Sequence, residues 1–128
     1  MYKVLIVEDN EKNLKLFKLI LDSNGYQSLI ARNGEEGIQI AEDQNPDLIL
    51  MDIQMPVLGG VDALRAIRTN EKTKTIPVIA TTAYAMKGDK ELFLDFGFEA
   101  YISKPIRIKE FLDTIESVLN GAGSEQKE

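Results

Sequence analysis

The chain has 128 residues, 15 Lys plus Arg against 21 Asp plus Glu, a formal net charge of −6, and neither Cys nor His. That length suits one domain, and 44% hydrophobic residues suffice for one core. The missing residue types exclude disulfides, thiolate zinc sites, Cys nucleophiles, Ser-His triads and an internal phosphohistidine relay, while the acidic balance argues against a nucleic-acid partner.

The apolar start, Val4 to Val7, runs directly into Glu8-Asp9. It is too short for a signal peptide or a membrane span, so a soluble, cytoplasmic protein without a membrane partner is expected. Flanked by helical patterns, the run reads as a strand buried on both faces. Asn10 offers a helix N-cap, Leu16, Phe17, Ile20 and Leu21 follow at helical spacing, and Asn24-Gly25 gives a stop. Leu14 and Leu19 fall partly outside that stripe, beside Lys15 and Lys18, and suggest a docking patch. Gln27 to Ala31 is a less apolar second strand suited to an edge. Asn33 and Glu36 have capping-box spacing, and their helix ends before Pro46.

Asp47 to Met51 is the third strand, ending at Asp52. Met55-Pro56 and Gly59-Gly60 mark a loop, and Val61 to Arg68 a helix. Pro77 to Thr81 is the fourth strand, Gly88 to Phe96 a helix stopped by Gly97, and Ala100 to Ile102 a short fifth strand. Beyond Lys104-Pro105, Ile108, Phe111, Leu112, Ile115 and Leu119 repeat at helical spacing. A single domain over 1–120 and a flexible, frayed tail from Gly121 to Glu128 are expected, with no linker or second domain after it. Strict alternation of five strands and five helices predicts an α/β fold, a doubly wound parallel sheet with helices on both faces.

In such a sheet, ligands bind beyond the carboxyl ends of the strands. Glu8 and Asp9 follow the first strand, Asp52 the third, Thr81 and Thr82 the fourth, and Lys104 the fifth. If the strand order is 2-1-3-4-5, the first and third strands are neighbours and three carboxylates converge. Such a cluster calls for a hard divalent cation with oxygen ligands, of which Mg²⁺ is the natural choice. Asp52 is then a candidate nucleophile toward phosphorus, with Thr82 and Lys104 placed to hold the remaining oxygens. Singly, each residue has a plainer reading: acids at a helix N-terminus, a turn aspartate, a loop hydroxyl, a solvated lysine. The ordered set is much harder to obtain by chance.

The motifs V-L-I-V-E-D-N, D-L-I-L-M-D-I-Q-M-P, P-V-I-A-T-T-A and A-Y-I-S-K-P resemble those of response-regulator receiver domains, the CheY-like fold, over Lys3 to Leu119. The stretch A-Y-A-M-K-G-D is similar to single-domain receivers of the DivK type and to receiver modules of hybrid sensor kinases. The resemblance implies a flavodoxin-like sheet of order 2-1-3-4-5. It implies that Asp52 accepts a phosphoryl group from the phosphohistidine of a sensor histidine kinase or histidine phosphotransferase. Asp9 would bind Mg²⁺ directly, Glu8 through water, and Gln54 through its backbone carbonyl. Lys104 and the backbone N–H of Ala83 would contact the phosphoryl group, Thr82 would swing toward it, and Tyr101 would turn inward in step.

A cis Lys104-Pro105 bond is also implied. The chain would be no enzyme beyond its own phosphoryl acceptance and loss, and would signal to a downstream target protein. The switching surface would span Ala83 to Asp95 and Tyr101 to Glu110, including Met86, Lys87, Lys90, Arg107 and Lys109. Gln54 and Tyr84 have bulk enough to hinder an attacking water, so slow self-dephosphorylation is expected. One departure stands out: the acid pair is Glu-Asp where many relatives have Asp-Asp.

Three other readings compete. A flavodoxin-like cofactor binder would need a phosphate-cradling first loop, and Glu8-Asp9-Asn10-Glu11 would repel phosphate. An aspartate-nucleophile phosphohydrolase commonly has an acid where Gln54 stands. A receiver-like scaffold acting without phosphorylation would not need the full Asp9, Asp52, Thr82, Lys104 set.

Overall fold

Alternate residues of each central strand point to opposite faces, and both faces are apolar. The computed structural model, which describes residues 1–55, 58–83 and 89–125 (backbone only at 89, 90 and 122–125), shows one five-stranded sheet of order β2-β1-β3-β4-β5. Its strands are β1 (Lys3–Val7), β2 (Gln27–Ala31), β3 (Leu48–Asp52), β4 (Val78–Thr82) and β5 (Ala100–Ser103). Every pairing is parallel. The helices are α1 (Glu11–Ser23), α2 (Gly34–Gln44), α3 (Gly60–Thr69), α4 (Asp89–Phe96) and α5 (Ile108–Glu125). This is the CheY-like flavodoxin fold, with β2 and β5 at the edges.

Leu5, Val7, Ile49, Met51, Val78 and Ala80 face α2, α3 and α4, packing with Ala41, Leu64, Ile67 and Phe93. Val4, Ile6, Leu48, Leu50 and Ile79 face the other way, onto Phe17, Leu21, Phe111 and Ile115 of α1 and α5. That period-two division is what a sheet covered on both faces requires. Phe17 and Phe111 meet at 5.2 Å between ring centroids and join the two helices of that layer.

The helix starts follow their capping residues. The Asn10 side chain accepts from the Asn13 N–H, and the Asn33 side chain accepts from the Glu36 N–H while Glu36 accepts from the Arg32 N–H. Asn45, with φ 47°, closes α2 ahead of Pro46.

Two expectations need correction. Leu14 is buried and belongs to the core stripe of α1 with Phe17, Ile20 and Leu21, whereas Leu16 is exposed. The helix is therefore rotated from the expected phase, and of the leucines in the suggested patch only Leu19, 64% exposed, faces solvent. β3 and β4 each reach one residue further, so Asp52 and Thr82 are terminal strand residues and not loop residues. The range of α5 includes Gly121 to Glu125 of the expected tail. No proline interrupts that segment, and glycine weakens a helix without forbidding it. Among the described residues, no helix is long and apolar enough to cross a membrane.

Candidate functional site

The sheet register fixes where the polar residues emerge. Val7 lies beside Met51, Asp52 beside Thr81, and Thr82 beside Ser103. The ladder extends one residue beyond the strands: the N–H groups of Glu8, Ile53 and Lys104 donate to the carbonyls of Ala31, Thr81 and Thr82. Glu8, Asp52, Thr82 and Lys104 are thus all anchored at the carboxyl edge of the sheet.

Carboxylate oxygens of Glu8, Asp9 and Asp52 lie within 4.8 Å of one another. Glu8 is 1% and Asp52 3% exposed, while Asp9 faces solvent. The Lys104 ammonium reaches between the two buried acids, 2.7 Å from Glu8 Oε1 and 3.2 Å from Asp52 Oδ1. At 2.7 Å the Lys104 ammonium and Glu8 Oε1 form a buried ion pair. Glu8 Oε2 accepts from the Asn10 N–H, and Asp52 Oδ1 accepts from the Gln54 N–H.

Burial pushes the Asp52 carboxyl up to about 7, and the Glu8 charge adds to the rise. Lys104 and the Gln54 N–H oppose it. Even with one ammonium present, the buried acid is short of positive charge. Among the described residues, three ionised carboxylates against one ammonium would leave two negative charges, which one divalent cation balances. An all-oxygen donor set of three carboxylates within 4.8 Å of one another fits a hard cation such as Mg²⁺.

Glycines admit the close packing that holds this edge. A Cβ on Gly60, at the start of α3, would lie 2.5 Å from the Asp52 carbonyl oxygen. The Gly60 N–H also donates to the Ile53 carbonyl, so α3 begins directly against the backbone of the central acid.

Thr82 is buried at the end of β4, and Ala83 follows it on the surface. Tyr101 is half-buried, with its ring 5.9 Å from that of Phe93 on α4. A cavity of about 460 Å³ lies between β5 and α5, bordered by Tyr101, Ser103, Lys104, Pro105 and Arg107. Lys104 is shared between this cavity and the acid cluster. The Lys104-Pro105 peptide bond is cis.

The structure therefore brings together Glu8, Asp9, Asp52, Thr82 and Lys104. Pro56, Tyr84, Met86, Lys87 and Gly88 lie outside the described residues, as does the side chain of Lys90. Sequence reasoning missed the direct Glu8–Lys104 contact. The only hint was the longer acid at position 8.

An acid cluster, a threonine and a lysine on the carboxyl edge of a 2-1-3-4-5 sheet define a CheY-like receiver. The family model described as the response regulator receiver domain matches residues 4–116, and the chain belongs to that family. Among curated relatives it is 48% identical to the polar-differentiation response regulator DivK of Brucella anthropi, over 93% of this chain and 97% of that protein. DivK of Brucella melitensis biotype 1 matches equally, at 48% with the same coverage.

Among solved structures, the receiver domain of a Pseudomonas aeruginosa sensor histidine kinase is 37% identical with a TM-score of 0.80, covering 93% of this chain and 94% of that one. That structure is described with a magnesium ion coordinated in its active site cleft. A CheY-like receiver protein of Methanospirillum hungatei is 30% identical with a TM-score of 0.86, covering 98% of each chain. The protein is a DivK-like receiver domain of two-component phosphorelay signalling.

Proposed function

We propose that this receiver takes a phosphoryl group onto Asp52 in a Mg²⁺-dependent reaction and thereby switches a protein-binding surface. The observation that carries the reading is the buried Asp52 carboxyl, set between Lys104 and two further acids at the carboxyl edge of the sheet. Glu8, Asp9, Asp52 and the backbone carbonyl of Gln54 would hold the metal ion. When bound, the ion supplies positive charge that draws Asp52 into its ionised, nucleophilic form and offsets charge on the phosphoryl oxygens.

The donor would be the phosphohistidine of a sensor histidine kinase or histidine phosphotransferase. An Asp52 oxygen attacks phosphorus, a P–O bond forms, the P–N bond breaks, and its electron pair returns to the imidazole. Lys104 pairs with the phosphoryl oxygens, while the Thr82 hydroxyl and the Ala83 N–H donate to them. Loss of the group is the attack of water on phosphorus, which releases phosphate and restores the carboxylate. The protein catalyses nothing beyond this acceptance and loss. The bulk of the Gln54 and Tyr84 side chains at their sequence positions supports slow loss, so Gln54→Ala with Tyr84→Ala should shorten the phosphoryl lifetime.

The added charge and acceptor oxygens favour a state in which Thr82 and Lys104 contact the phosphoryl group. The move of Thr82 lets Tyr101 turn inward and reshapes the face from Tyr101 to Glu110 toward a downstream target. Intact mass after incubation with acetyl phosphate tests the reading. One added phosphoryl group is expected with Mg²⁺, and none without metal or in Asp52→Asn. No gain in the native protein would leave a receiver-like scaffold that binds partners unmodified.

A further inference from the structure

The reaction proposed above uses no residue of α2, yet the first turn of that helix presses on the loop that carries the site. Gly34, buried at the start of α2, has no room for a side chain. A Cβ there would lie 2.6 Å from the Leu58 carbonyl oxygen and 3.0 Å from the Leu58 Cβ, inside van der Waals contact. The nearest atom is backbone, so no change of rotamer can make space.

Both sides of this contact are anchored. On the helix side, the Asn33 side chain accepts from the Glu36 N–H, and Glu36 accepts from the Arg32 N–H. One turn on, a Cβ at Gly37 would lie 2.8 Å from Val7 Cγ2, so α2 already sits directly on β1. On the loop side, Leu58 packs against the core, and the N–H of nearby Gly60 donates to the Ile53 carbonyl. Between Ile53 and Leu58 the chain carries Gln54, whose N–H donates to Asp52 Oδ1 at 3.2 Å. The Gln54 carbonyl is the one assigned above to the metal ion. A push on Leu58 is therefore a push on the segment that meets Asp52.

We propose that Gly34 is a positioning residue for the site: its bare α-carbon lets α2 seat Leu58, and that seat sets where the 53–55 segment stands against the acid cluster. The proposal rests on the receiver reading above. It adds α2 to the elements that determine metal affinity, through a backbone contact and without any charged group of that helix.

Calorimetric titration of Mg²⁺ into the full chain, Gly34→Ala and Ala41→Gly tests it without any phosphorylation, with urea unfolding of each. Ala41 is buried near the other end of α2, so Ala41→Gly weakens the same helix far from the loop. Gly34→Ala should weaken Mg²⁺ binding about tenfold, the cost of disturbing the support of a metal ligand. Ala41→Gly should lower stability and leave Mg²⁺ affinity unchanged. Native affinity in Gly34→Ala would overturn the proposal and leave the metal reading standing, and so would a loss in Ala41→Gly as large as that in Gly34→Ala. If Gly34→Ala does not fold, Leu58→Ala takes its place, because it truncates only a half-buried side chain on the other side of the contact. It should weaken binding about threefold, and native affinity there would overturn the proposal. Absence of Mg²⁺ binding by the native chain would overturn both readings.

Discussion

Charged clusters sit at both ends of the sheet, and they are built in opposite ways. At the amino ends of β4 and β5, the Arg68 guanidinium donates to the carbonyls of Lys74, Ile76 and Gly97 and to the Glu99 carboxylate. Glu99 in turn accepts from the Val78 N–H. One cation faces one anion there, and backbone carbonyls take up other donors. At the carboxyl ends, among the described residues, one ammonium meets a cluster of three acids. The first cluster ties α3 to β4 and to the turn before β5. The second is left short of positive charge, a condition that costs stability and that a ligand can relieve. A matched polar network serves the fold, and an unmatched one marks the site.

The sharpest way to break this comparison is to remove the centre of each cluster. Arg68→Ala should destabilise the domain by about 2 kcal/mol, since it strands several acceptors and the Glu99 carboxylate. Urea unfolding measures this, and Mg²⁺ affinity should stay unchanged. Asp52→Asn should do the reverse. It removes a buried charge that the metal-free site cannot balance, so it should stabilise that form at neutral pH while abolishing phosphorylation.

The pH dependence sharpens the same contrast. The Asp52 carboxyl is raised from 3.8 to about 7 by burial and by Glu8. Between those values the folded state binds more protons than the unfolded chain, so this group makes stability fall as pH rises through the window. Below the window both states are protonated, and above it the penalty is complete. Thermal melts of metal-free protein should show the decline, Asp52→Asn should flatten it, and Mg²⁺ should offset it by binding the folded state. The smallest effect belongs to the exposed pairs. Lys109→Ala breaks only the Asp113 contact along α5 and should change stability by under about 0.5 kcal/mol in the same melts.

Much of this was legible in the chain itself. Apolar runs bounded by turn residues gave the five strands, and strand ends gave the positions of Glu8, Asp9, Asp52, Thr82 and Lys104. Strand order rested on resemblance, since periodicity says which face is buried and not which strand is the neighbour. The phase of α1 was misread because Leu14 and Leu16 are equally apolar, and only packing against α5 and the sheet distinguishes them. Arg68 and Gly60 gave no local signal, because their roles depend on backbone atoms brought close by folding. The same holds for the Glu8–Lys104 contact, which joins the first strand end to the last.

The most direct test of the central claim, that the unmatched acid cluster exists to phosphorylate Asp52, is chemical trapping. Protein treated with acetyl phosphate and Mg²⁺ is reduced with borohydride, which converts an aspartyl phosphate to homoserine, and the modified residue is located by peptide mass spectrometry. Homoserine at position 52 alone is the expected result. Homoserine at position 9, or at no position, would contradict the account.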